Sequence, residues 1–308
     1  MCMKCLLRMP NRVNVRYPVN TLVSYHYFKK QDISAFSRHG YRCIGDSGAF
    51  SAMTTGKPID IKDFGMWARK WKKDLAWVAS LDVIGDQKET WNNYLRLRKE
   101  YEVDVIPTLH YGSQPNEMDK YVEQGVDYIG LGGMVPFKSE PQKLLRWTLS
   151  MFKYARDNHP QMRFHGWGIT HKDLLTTLPW YSVDSTGWAY SFMLGRHTLW
   201  IPTEGKFVRF ATDGKEAFKY GDLIREHYNI EPADIAFSNN TNYQITVRAS
   251  ARSYQLLEDH MRKRFNVTAP KYGVAPDSPA GPNIHLANGS SVVFTKYLVP
   301  ITEGETND

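Results

Sequence analysis

Between residues 20 and 190 the chain repeats one pattern seven times: a short apolar run, then a turn, then a polar or helical connection. The runs predict strands over Thr21–Phe28, Tyr41–Phe50, Leu75–Val83, Val103–Leu109, Val126–Val135, Met162–Ile169 and Tyr181–Asp184. Between them, Ile61, Phe64, Ala68, Trp71 and Leu75 recur at helical spacing, Thr90–Tyr101 is a charged amphipathic stretch, and Asn116–Gln124 is short and helical. Ser139, Pro141 and Gln142 predict a helix start, and Leu145, Leu149, Phe152 and Ala155 its buried face; Thr170 and Asp173 predict the next cap. Strand–helix units of this length imply parallel strands joined by crossovers. Seven of them predict an α/β, TIM-like (β/α)8 barrel rather than an open doubly wound sheet, since no G-x-G-x-x-G follows the first strand.

After Ala189 the rhythm breaks. The reading divides the chain into residues 1–200, the main part of the barrel with its catalytic rim, and 201–308, barrel closure and a divergent C-terminal extension. His197–Ile201 or Phe207–Phe210 are the candidates for the closing strand. Helices are predicted near Glu216–Tyr228 and Arg248–Arg264, loop over residues 266–290, and a last strand over Val292–Leu298.

Several runs end in a residue that can do chemistry: Asp46, Asp82, His110 and Asp184. In a parallel barrel these residues share one rim, where barrel enzymes carry their chemistry. Asp184 and Asp46 form the leading pair. Two facing carboxylates can divide the cleavage of a glycosidic bond, one attacking C1′ and the other handling the proton. Their mutual repulsion would raise one pKa, which suits a proton donor. The alternative is a metal-dependent barrel hydrolase with Asp46, Asp82, His110, His165 and Asp184 as ligands, but no H-x-H lies on an early strand. Gly130, Gly132 and Gly133 sit where glycine weakens a strand, so either backbone approaches a flat base there or the packing is tight.

Bulk properties add little. The net charge of +7 suits a polyanionic partner without requiring one. The basic run Arg248, Arg252, Arg262, Lys263 and Arg264 is a candidate nucleic-acid surface, with a solvated helix face as its plain alternative. The three cysteines, Cys2, Cys5 and Cys43, form no disulfide framework and suit a reducing cytoplasm; C-x-x-C at 2 and 5 lacks two further zinc ligands. Arg8 and Pro10 interrupt what a signal peptide would need, and no window is apolar enough to span a membrane.

The order of these motifs resembles the tRNA-guanine transglycosylase superfamily, most closely its phage-type, DpdA-like DNA-modifying branch. Asp46-Ser47-Gly48-Ala49-Phe50 resembles the family's D-S-G-G-F, with alanine at the second glycine. Ser80-Leu81-Asp82, Gly132-Gly133-Met134, His165-Gly166-Trp167-Gly168 and Val183-Asp184-Ser185 fall where the family has its base-reading aspartate, base-contacting backbone, glycine pair and nucleophile. The resemblance spans roughly residues 20 to 190. It implies exchange of guanine for a 7-deazaguanine such as preQ0 through a covalent Asp184–sugar ester, Asp46 handling the proton. It implies base contacts at Ser47, Asp82, His110, Tyr111, Gly132, Gly133, Met134, His165 and Trp188, and no metal or cofactor. Tyr111, Trp167 and Trp188 are candidates to stack on an extruded base. Tyr111-Gly112 stands where the family often has glutamine before glycine. The zinc-binding C-x-C-x-x-C that helps hold tRNA is absent, which favours double-stranded DNA over tRNA as partner. Such an enzyme would mask guanines from restriction and work in the cytoplasm, a host's if phage-encoded. A non-catalytic nucleic-acid-binding barrel is the remaining alternative.

Overall fold

The computed structural model describes residues 13–16, 19–39, 41–169, 171–189, 197–210, 214–236, 243–265 and 283–288. The strands are β1 Val19–Ser24, β2 Tyr41–Asp46, β3 Leu75–Ala79, β4 Val105–Ile106, β5 Thr108–His110, β6 Tyr128–Gly132, β7 Arg163–Gly166, β8 Ser182–Ser185, β9 His197–Ile201, β10 Lys206–Phe210 and β11 Asn283–Asn288. Nine of them form one sheet in the order β4-β3-β2-β1-β11-β8-β7-β6-β5, every pair parallel. Its two end strands are halves of one stretch, parted only by Pro107, which has no N–H for the ladder. The Gly130 amide donates to the Pro107 carbonyl at 2.8 Å and carries the pairing across the break. The sheet thus returns on itself as a TIM-like (β/α) barrel.

Side chains alternate along each strand. Inside, Leu22, Ile44 and Ala287 pack with Trp77 and Trp167, and Ile106 with Tyr128 and Tyr181. Outside, Val23, Cys43, Val78, Leu109, Ile129, Phe164 and Val183 join the apolar faces of the helices in one large cluster. Helix Ile61–Trp71 buries Phe64, Trp67, Ala68 and Trp71, and the Asp60 carboxylate accepts from the Asp63 amide to cap it. Helix Gln87–Tyr101 begins three residues earlier than its apolar pattern suggests, because Asp86 caps it through the Glu89 amide.

Several expectations are corrected. The run Thr21–Phe28 stops as a strand at Ser24, and Tyr25–Phe28 is a helical turn that buries Tyr25 and Phe28 on one side. The second run likewise ends at Asp46, and Ala49–Thr55 is helix. Helix Pro141–Asn158 is capped at Glu140, not Ser139, and buries Leu144, Thr148, Met151 and Ala155; Leu149 faces solvent. Of the expected face, Ala155 is buried and Leu145 and Phe152 are half-buried against the core. Asp173 lies in the first turn of helix Lys172–Thr177, whose N-cap is His171, and Thr170 is outside the described residues.

The largest correction concerns closure. β9 and β10 pair antiparallel with each other in a separate two-stranded sheet. The closing strand is β11, inside the stretch expected to be loop, between β8 and β1. Its inward residues Asn283 and His285 are polar and the third, Ala287, is small, so Ile284 and Leu286 are its large apolar residues. Helix Tyr243–Phe265 holds it in place: the buried Glu258 carboxylate accepts from the Ile284 amide at 3.1 Å, and Arg262 bonds both Glu258 and Asn283. The expected strand Val292–Leu298, Cys2 and Cys5 lie outside the described residues.

Candidate active site

Asp46 is the last residue of β2, level with Ser24 at the end of β1. The chain turns at Gly48, whose φ is +79°. A β-carbon there would lie 2.5 Å from His26 Cβ and from Ser24 Oγ, so the turn admits only glycine. The Gly48 amide donates to Asp46 Oδ2 at 3.0 Å. Burial pushes the Asp46 carboxyl up to about 7, and the charges of Asp184 and Asp82 add to the rise. Ser47 is buried, and its hydroxyl accepts from the Ala49 amide, a local capping bond.

Asp184 sits on β8, opposite His285 of β11. Its Oδ1 accepts from the Gly168 amide at 2.8 Å and lies 3.4 Å from His165 Nε2. Burial pushes its carboxyl up to about 7 as well, opposed by the backbone amides it accepts from. The two carboxylates therefore reach the mouth of the barrel from opposite sides of β1 and β11. The Asp184 charge is felt at Asp46, so the ionisation of one bears on that of the other.

Asp82 and His110 form a second group. Asp82 Oδ2 lies 3.7 Å from His110 Nε2. Asp82 Oδ1 and both His110 ring nitrogens are buried with no hydrogen-bond partner among the described residues. Buried polar atoms are normally satisfied. These can take a ligand's polar edge. A groove of about 620 Å³ runs from Asp82 past Leu81, Val83, Ala52 and Met53. The Tyr111 amide donates to the Gly132 carbonyl at 2.8 Å, and its ring packs on Phe137 and Trp147. Gly133 has φ +69° and brings the chain against Tyr111; Met134 is buried.

The glycines of β6 have a structural reason. A β-carbon on Gly130 would lie 2.1 Å from Trp167 Nε1, and one on Gly132 2.9 Å from Thr108 Cγ2 and 3.1 Å from Trp167 Cδ1. The Trp167 indole lies across them and donates to Thr108 Oγ1 at 3.1 Å. The close approach is by a side chain of this protein. His165, fully buried, packs edge-on to Trp167 and Trp77.

Other residues singled out in the sequence lie elsewhere. Trp188 is completely buried, its indole donating to the Ala287 carbonyl, which leaves no face for a base. Of the basic set, Arg248 is buried, Arg252 donates to the His227 carbonyl, and Arg262 is tied to Glu258 and Asn283; Lys263 and Arg264 are exposed. The basic helix is thus a core element rather than a charged face. Exposed lysines instead sit beyond the strand ends: Lys29 and Lys30 after β1, Lys57 after β2 and Lys138 after β6 on connecting segments, and Lys172 at the start of the helix after β7. Exposed apolar side chains accompany them, Tyr27, Phe50, Met53, Val135 and Phe137. Sequence reasoning missed Ser182, Tyr128 and His285, all inward-facing. Counting back by two from Asp184 finds Ser182, and counting back by two from Gly130 finds Tyr128.

Among the described residues no three His, Cys, Asp or Glu side chains converge as a metal site, and no helix is long and apolar enough to cross a membrane. No protein-family model matches this chain, and no curated protein matches it in sequence.

Proposed function

We propose that this protein is a base-exchange transglycosylase that replaces guanine in double-stranded DNA with a 7-deazaguanine such as preQ0. The observation that carries the reading is the pair of carboxyls, half-buried Asp46 and buried Asp184, brought to one mouth from β2 and β8. The resemblance of the motifs around them supplies the substrate class.

The Gly168 amide on Asp184 Oδ1 favours its charged form, and Asp184 is assigned as the nucleophile. Burial first, and then the Asp184 charge, push the Asp46 carboxyl up, and Asp46 is assigned the proton. Asp184 attacks C1′ while the bond from C1′ to the base nitrogen breaks, and that electron pair leaves with guanine. Asp46 supplies the proton that neutralises the departing base. The incoming base returns its ring proton to Asp46 and displaces Asp184 from C1′. In this reading Asp82 and His110 contact the base edge, which would give their unpartnered buried atoms a partner. In this reading the exposed rim lysines meet phosphates, and the target nucleoside must be turned out of the duplex to reach the pair.

Incubation of the purified protein with duplex DNA or tRNA and isotopically labelled 7-deazaguanines, followed by nucleoside analysis, tests this. Label in DNA with release of an equal amount of guanine is expected. Label in tRNA alone would move the substrate to RNA, and label in neither would remove the proposal.

A further inference from the structure

Below the carboxylates, the barrel interior holds a hydrogen-bonded chain that the exchange steps do not use. Tyr128 Oη on β6 bonds Ser182 Oγ on β8, and Ser182 Oγ lies 2.5 Å from His165 Nδ1 on β7. The other ring nitrogen, Nε2, lies 3.4 Å from Asp184 Oδ1. Register sets His165 directly opposite Ser182, and Asp184 follows Ser182 by two residues on the same inward face. All four side chains are buried.

The direction of the chain follows from what each group can donate. A carboxylate only accepts, so an ionised Asp184 requires a proton on Nε2. Nδ1 of the neutral ring is then bare and accepts the Ser182 hydroxyl proton. The Ser182 oxygen in turn accepts the Tyr128 phenol proton. Every donor points towards Asp184. Reversal needs a protonated Asp184, a proton on Nδ1 and a Ser182 hydroxyl turned to Tyr128, whose own proton must find a new acceptor. Around that ring lie Trp77, Tyr181 and the Arg163 guanidinium. An indole and a guanidinium offer no acceptor, so of these groups the Tyr181 phenol oxygen is the one that reversal would have to use.

We propose that the Tyr128–Ser182–His165 chain is a positioning device for Asp184. It fixes the imidazole as its Nε2–H tautomer, holds Asp184 as the carboxylate, and with the Gly168 amide pins Oδ1 so that Oδ2 is the attacking atom. The inference rests on Asp184 being the nucleophile. Burial alone takes the His165 imidazolium down to about 3, so the ring is neutral at working pH and its tie to Asp184 is a hydrogen bond rather than an ion pair. The other titratable groups facing the chain are Asp46 across the mouth with Asp82 beside it, His285 next to His165, and Arg163 and Tyr181 next to Tyr128.

The test is nuclear magnetic resonance of the whole chain carrying ¹⁵N-histidine and ¹³C-carboxyl aspartate, with His165→Gln and Asp184→Asn used for assignment. His165 is expected as a single tautomer, protonated at Nε2 and bare at Nδ1. Ser182→Ala is expected to mix the tautomers and to raise the Asp184 midpoint by about one pH unit, the weight of a hydrogen bond to a charged group. Tyr128→Phe keeps the Ser182 donor and is expected to move both in the same direction by less, which gives a second reading if Ser182→Ala does not fold. A wild-type ring protonated at Nδ1 would overturn the proposal, as would an Asp184 titration unmoved in both variants. In turnover, the acidic limb of kcat should move up in Ser182→Ala with KM unchanged; a uniform loss at every pH would reduce the chain to packing. Absence of base exchange with the tautomer found as expected would count against the function and not against the chain.

Discussion

Asp46 and Asp184 are the same residue type near the ends of two strands, and in the proposed exchange they take different parts. Asp184→Asn is expected to abolish both exchange and any covalent protein–DNA adduct while leaving DNA binding in place. Asp46→Asn keeps the nucleophile and is expected to slow exchange by roughly a hundredfold, the size of a lost general acid. Trapping with the incoming base omitted, followed by peptide mapping, checks both; an adduct on Asp46 or Asp82 would reverse the roles. Exchange needs Asp184 ionised and Asp46 protonated, so its rate should fall on both sides of a maximum near neutrality. Stability moves in one direction only. Both carboxyls are raised in the folded chain from 3.8 to about 7. Between those values the folded state holds more protons than the unfolded one, so the stability these groups contribute is present in acid and is lost as pH rises towards 7. Asp184→Asn, which removes a buried charge at constant shape, should therefore melt about 2–4 °C above the wild type at pH 8, with the gap shrinking at pH 5. A variant less stable than wild type at pH 8 would contradict the burial argument.

At the scale of elements, β6 and the segment after β7 are a matched pair. Gly130 and Gly132 leave a slot, and Trp167 fills it and bonds Thr108. Gly130→Ala puts a methyl group within 2.1 Å of the indole nitrogen, so either Trp167 moves or the strands part. Overpacking of this kind costs about 1–3 kcal/mol. A lowered melting temperature together with a changed tryptophan emission is the expected result. Unchanged emission and stability would mean that the slot is roomier than this spacing implies.

For the whole molecule the decisive joint is β11, which closes the barrel and is held by Glu258 of the long C-terminal helix. Glu258 also accepts from Asn20 of β1 and pairs with Arg262, so one carboxylate ties the helix to both closing strands. Glu258→Ala strands those donors and is expected to lower stability by about 2–4 kcal/mol in a denaturant titration, whereas Lys263→Ala, exposed on the same helix, should change it by less than about 0.5 kcal/mol. Nucleic-acid affinity is expected to come from the rim. Replacing Lys29, Lys30, Lys57 and Lys138 with alanine should weaken duplex binding across sequences and flatten its salt dependence, by about 0.9 in logarithmic slope for each phosphate that is no longer neutralised. Filter binding at two salt concentrations decides between this surface and the buried basic helix; an unchanged slope would place the phosphate-binding groups elsewhere.

The barrel was legible in the sequence because crossover units repeat and each strand needs a β-branched or aliphatic outer face, such as Ile129 and Leu131 on β6 or Val183 on β8. The acids at the strand ends were legible for the same reason, since parallel strands in register put Asp46 and Asp184 on one rim whatever lies between them in the chain. Closure was not. β11 faces inward with Asn283, His285 and the small Ala287, and its signal of two large apolar residues is no stronger than that of a loop. Nor could the sequence separate a charged surface from a buried one. Arg248, Arg252 and Arg262 carry the same charge as Lys263 and Arg264, and only packing against the barrel decides which of them meets solvent. The chain of Tyr128, Ser182 and His165 is hidden for a related reason: its members come from three strands, and register alone brings them together.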